Sequence, residues 1–137
     1  DFNFLHQVEK KIQALQKFRD ISKDFETLAI SFKRIINIGK GFKETYSVNP
    51  DLFEHKSEEG LWEIFQLLKD EAKREIDREN YFEALSIISR IIKPVDEFFS
   101  EVMVMAEDKR IKENRLGILK NLQEFFLQIG DFSKFSI

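Results

Sequence analysis

Residues 93–135 read KPVDEFFSEVMVMAEDKRIKENRLGILKNLQEFFLQIGDFSKF. Val95, Phe98, Phe99 and Val102 recur at i, i+3, i+4 and i+7, the spacing of one apolar helical face. Pro94 suits the first helical position, where its missing N–H is not needed, so the spacing predicts a helix that starts there. Asp96 and Glu97 would put negative charge in its first turn, where exposed amide dipoles favour anions. Residues 103–108 read as a compact apolar link. Asp108 then suits the N-cap of a second helix with Ile111, Ile118, Leu119, Leu122, Phe125, Phe126 and Ile129 on its core side, ended by Gly130. Two such helices share one apolar wall, which the preceding sequence must cover.

Two charges in this stretch fall where periodicity calls for apolar groups. Arg115 lies on the stripe between Ile111 and Leu119, and Asp96 borders the face of Phe99 and Met103. A guanidinium in such a place needs a partner, because desolvating it alone costs several kcal/mol. Asp96 is the expected partner, and the pair reads as a structural clamp on the helical hairpin.

The composition sets the frame. With 137 residues the chain makes a single domain, 1–137, with room for a real core. Fifteen Phe against five Gly and two Pro argue for long regular elements. Sustained alternation and Asn-Gly or Asp-Gly hairpin turns are missing, so the expected class is all-α, a single bundle of about five to seven helices. The absence of cysteine removes disulfides, thiol nucleophiles and thiolate metal sites, and suits a cytoplasmic location. No apolar run reaches membrane-spanning length, so no membrane partner is expected. The first residue is Asp1, and the chain reads as a C-terminal piece cut from a longer polypeptide.

In chain order, residues 4–19 carry Leu5, Val8, Ile12 and Leu15 on one side of an amphipathic helix. Ser22 is the expected N-cap of a second helix with Phe25, Leu28, Phe32 and Ile35 inside, stopped by Gly39 and Gly41. Residues 42–56 read as a loop with a turn at Asn49-Pro50 and an apolar plug of Leu52 and Phe53. Ser57 is the expected cap of a third helix with Leu61, Ile64, Phe65, Leu68, Ala72 and Ile76 as its core stripe. A fourth, over 81–92, is apolar on more than half its circumference and reads as central. Phe132 and Phe135 are expected to fold back on the core.

Catalysis finds little support. The only histidines, His6 and His55, sit with neither a serine nucleophile nor a spaced acid, and Gly39-Lys40-Gly41 lacks the pattern of a phosphate loop. No catalytic residue, metal ligand or cofactor is expected in the domain itself. The net charge is −3, yet the stretch 33–43, KRIINIGKGFK, carries Lys33, Arg34, Lys40 and Lys43 without a single acid. A local positive surface is enough to meet a polyanion, because salt screens more distant charges. Lys40 and Lys43 suit phosphate contacts, Arg34 and Asn37 suit base edges, and Phe42 or Tyr46 offers a stacking surface for an unpaired base. A solvated basic helix face fits the same residues.

The stretch 94–134 also resembles the C-terminal end of the β subunit of bacterial heterotetrameric glycyl-tRNA synthetase, an all-helical anticodon-binding module of the DALR type. Phe32-Lys33-Arg34-Ile35-Ile36-Asn37-Ile38 resembles that family's F-K-R-V-x-N-I helix. Val48-Asn49-Pro50-Asp51-Leu52-Phe53 with Leu61-Trp62-Glu63, and Tyr81-Phe82-Glu83-Ala84-Leu85, are similar to its intervening segments. The combination VDxFFxxVMV…NRLxxL is the specific part, and nearly the whole chain is covered. The resemblance implies glycine tRNA as partner, with Lys33 and Arg34 matching the family motif while Lys40, Phe42 and Lys43 rest on position and charge. It also implies the rest of the β subunit and a catalytic α subunit as partners, with ATP and magnesium used there; DNA is not expected. Two alternatives stay open: a helical protein–protein docking domain, and the anticodon-binding domain of another synthetase of the arginyl type.

Overall fold

A computed structural model describes residues 2–39 and 47–128, residue 2 by its backbone alone. Among these residues there are six α-helices and no strand: α1 Phe2–Ile21, α2 Phe25–Ile38, α3 Lys56–Asp77, α4 Tyr81–Ile88, α5 Ile92–Glu101 and α6 Lys109–Leu127. One-turn 3-10 helices occupy Pro50–Leu52 and Ser89–Ile91. The all-α bundle expected from the sequence is what forms. No described helix is long and apolar enough to cross a membrane.

The core is organised by α6. Residues 114–119 are buried on every side of that helix, so α6 rather than α4 is the innermost element. Its Phe125-Phe126 pair shows how. Neighbouring residues on a helix diverge by about 100°, so the two rings reach different partners. Phe125 meets Phe65 of α3 edge-on at 5.5 Å, and Phe126 meets Phe32 of α2 at 5.4 Å. Edge-to-face pairs of this kind contribute about 0.5–1.5 kcal/mol beyond their area burial. Around this wedge α3 packs on α4 and α5, α2 on α6 and α5, and α1 on α4.

The helix ends correct several expectations. Asp108 caps α6 as expected, accepting from the N–H groups of Arg110 at 2.9 Å and Ile111 at 3.4 Å. Ser22 caps nothing: its hydroxyl accepts from the Asp24 N–H at 3.0 Å within the turn, and Asp24 holds the N-cap position of α2. Ser57 lies buried inside the first turn of α3, whose cap is His55 in a reciprocal box with Glu58. Glu58 takes this role because its carboxylate folds back to accept from the Glu54 and His55 N–H groups, each at 3.2 Å. Pro94 does not start a helix either. It is the third residue of α5, still among the positions whose N–H has no helical acceptor, and the run from α4 continues into it through the tight turn Ser89–Ile91. A proline ring crowds the carbonyl four residues earlier, here that of Arg90, which accounts for the tightening at that place. Ile129, Gly130, Phe132 and Phe135 lie outside the described residues.

Candidate nucleic-acid interface

The α2 helix has two faces. Phe25, Leu28, Ala29, Phe32 and Ile35 are buried toward the bundle. Ile30, Lys33, Arg34 and Asn37 fall within about 100° of arc on the other side. Arg34 and Asn37 are exposed and Lys33 is half-buried. Thus the expected set Lys33, Arg34 and Asn37 does come together on one face, while Lys40, Phe42, Lys43 and Tyr46 lie outside the described residues.

Arg34 does not reach into solvent alone. Its guanidinium carbon stands 4.0 Å from the ring centroid of Phe99 on α5, a cation–π contact of about 0.5–1 kcal/mol at an exposed site. Phe99 is held in turn by an edge contact with buried Phe98 at 5.6 Å. Sequence periodicity placed both rings in the core, yet neighbouring residues point about 100° apart and only Phe98 is fully inside. That divergence was the available signal for Phe99 as a platform.

The expected clamp exists with other partners. Arg115, 3% exposed, donates from Nη1 to the Met103 carbonyl at 2.6 Å. From Nη2 it donates to Glu58 Oε1 at 3.2 Å and Glu54 Oε1 at 2.9 Å. Asp96 is exposed on α5 and does not take that place; fully buried Glu58 does, because the α3 cap has already turned its carboxylate inward. Arg115 therefore joins α6 to the start of α3 and to the link after α5. Its neighbour Asn114 makes a second staple. The Asn49 N–H donates to Asn114 Oδ1 at 2.6 Å, and Asn114 Nδ2 donates to the Asn49 carbonyl at 3.1 Å. Asn49 also accepts from the Asp51 N–H at 3.0 Å, which sets the turn at Pro50. Asn114 thus holds the chain at Asn49, and Arg115 holds it at Glu54 and Glu58.

Described clefts lie elsewhere. One of about 220 Å³ between α3 and α5 is lined by Lys56, Ser57, Gly60, Pro94, Glu97 and Glu101 among others. Another of about 360 Å³ holds Trp62, Phe53 and Pro50 beside Glu59 and Glu63. Among the described residues no group of three or more His, Cys, Asp or Glu is placed to hold a metal ion. The α2 face presents a cation, an amide and an arginine held against an aromatic ring, a combination suited to phosphates and unpaired bases rather than to bond-breaking chemistry.

Comparison with known proteins agrees with the resemblance noted from the motifs. No family model matches the chain. The glycine–tRNA ligase beta subunit of Thermodesulfovibrio yellowstonii is 31% identical over 130 residues, which is 95% of this chain and 19% of that protein. That of Geotalea daltonii is 37% identical over 133 residues, or 97% of this chain and 19% of the relative. That of Desulfatibacillum aliphaticivorans is 39% identical over 132 residues, or 93% and 18%. The chain spans about a fifth of the length of the relatives it matches. Over nearly all of its residues, then, this chain is a homologue of one portion of the glycine–tRNA ligase beta subunits.

Proposed function

We propose that the chain is the anticodon-binding domain, of the DALR type, within a longer glycine–tRNA ligase beta subunit. In this reading it grips the anticodon stem-loop of glycine tRNA in the cytoplasm. Aminoacylation, with ATP and magnesium, proceeds on the catalytic alpha subunit, and the domain supplies no catalytic residue. The observation that carries the reading is Arg34 held at 4.0 Å over Phe99 on the same helical face as Lys33 and Asn37. An arginine anchored on a ring presents its donors with little left to order, and an unpaired base has a face to stack on. The last two bases of a glycine anticodon are cytosines. Each shows two acceptors and one amino donor, so Arg34 and Asn37 serve as donors. Asp96, exposed on α5 one turn before Phe99, offers the acceptor.

The test is filter binding of glycine tRNA and of a version with both anticodon cytosines replaced, at two salt concentrations. Binding is expected to be micromolar or weaker, to fall steeply with salt, and to favour the natural anticodon. Replacing both Lys33→Ala and Arg34→Ala is expected to cost about tenfold or more and to flatten the salt slope by up to about two. Unchanged binding by the folded double variant overturns the assignment of this face, and equal retention of both RNAs reduces it to nonspecific polyanion binding.

A further inference from the structure

Helix α1 carries more apolar surface than the bundle uses. Leu5, Val8, Ile12 and Leu15 follow the 3, 4, 3 spacing of a seam between two helices. Leu15 is buried, but Leu5 is 64% exposed, Ile12 49% and Val8 36%, and Phe4 beside them is 62% exposed. The seam thus starts in open solvent and runs into the core after three turns. Among the described contacts, two cations tie this half of α1 to the turn before α4 and to its first residue. Lys10, on the opposite side of the helix, bonds Glu79 at 2.8 Å, and Lys11 lies 5.6 Å from the Tyr81 ring centroid.

We infer that this seam receives a helix from the remaining four-fifths of its own subunit; the inference rests on the reading of the chain as one domain of a longer beta subunit. The matched relatives supply the chain required, since the region aligned here is only 19% of their length. Size decides between the possible occupants. The exposed seam, from Phe4 to Ile12, is about 12 Å long, and a stable pairing of separate molecules buries about 1,200–2,000 Å², more than these four side chains and their partners provide. A helix tethered in the same polypeptide needs far less, because linkage gives it an effective concentration of about millimolar. Nucleic acid is disfavoured for another reason: the seam is apolar and offers phosphates no donor.

The experiment uses the full-length subunit with a single cysteine placed at Val8→Cys, Ile12→Cys or, off the seam, Gln13→Cys. Maleimide labelling is read on the digested peptides by mass. Positions 8 and 12 are expected to label about tenfold more slowly than 13, and Leu5→Asp is expected to bring the three within about twofold. Equal rates in the parent background overturn the inference. Protection that grows with protein concentration assigns the seam to a second copy, and protection that appears only with added tRNA assigns it to RNA; both overturn it as well. Hydroxyl-radical footprinting of the unaltered subunit needs no variant: Phe4 and Leu5 are expected at least about fivefold below their intrinsic reactivity, and full reactivity overturns the inference. Filter retention of tRNA by the same preparations separates the two readings. Retained RNA with equal labelling sinks the seam alone, and a protected seam without RNA binding sinks the anticodon reading alone.

Discussion

Two regions of this molecule hold charged side chains in place by opposite means. At the corner of α3, α6 and the link after α5, Arg115 is buried among a carbonyl and two carboxylates. Along α1, the cations Lys10, Lys11 and Lys17 stay near the surface and lie against Glu79, the Tyr81 ring and the Phe82 ring. A buried guanidinium leaves a costly orphan when its partner goes, whereas an exposed ammonium simply returns to water. The corner should therefore behave as part of the core, and α1 as a strap.

The largest expected effect comes from Arg115→Ala, which strands Glu58 at 0% exposure and frees the Met103 carbonyl. A loss of about 3–5 kcal/mol is expected in denaturant unfolding. A loss under about 1 kcal/mol would break the comparison. Asn114→Ala, which leaves the Asn49 N–H and carbonyl without their side-chain partner, is expected to cost about 1–3 kcal/mol by the same measurement. On the strap, Lys17→Ala removes a cation 4.4 Å from the Phe82 ring centroid and is expected to cost about 0.5–1 kcal/mol. An effect as large as that of Asn114→Ala would make the strap a second corner.

The smallest effect is one of pH. The hydrogen bond from Lys10, chiefly, holds the Glu79 carboxyl below its ordinary value, with the charges of Lys10 and His6 adding to it and desolvation opposing. A depressed carboxylate stabilises the folded form above its unfolded pKa, and that contribution fades as pH falls through the folded value. The protection of the α1 amides against hydrogen exchange, taken relative to the intrinsic rate at each pH, is thus expected to fall in acid below the usual glutamate range, while that of the α6 amides changes less. Lys10→Ala is expected to remove this acid dependence. An equal fall in both helices would show that the strap is not an independent unit. Glu79 also carries the positive φ of 60° in the turn between α3 and α4, so Glu79→Gly would relieve the backbone there while losing the latch.

Much of this fold is legible in the sequence because it depends on local spacing. The buried stripe of α2, the cap at Asp108 and the Leu119, Leu122, Phe125, Phe126 side of α6 all follow from residues within two turns of one another. What was not legible lies between distant residues. Arg115 was visibly misplaced, but its partner Glu58 is 57 residues away and points inward only because of the α3 cap. Periodicity sees one element at a time and favoured Asp96, which shares the same hairpin. The α2 face was legible residue by residue, whereas Phe99 as the rest for Arg34 was hidden inside an apolar run that looked uniformly like core.

The cap of α6 has one more consequence. Asp108 fixes where the helix begins, so Arg115 stands seven residues on, two turns directly below it, with Asn114 one step to the side. Distance along the chain is thereby under as firm a constraint as residue identity. Inserting one residue between the two would swing both side chains round by about 100° and detach two anchors at once without deleting either.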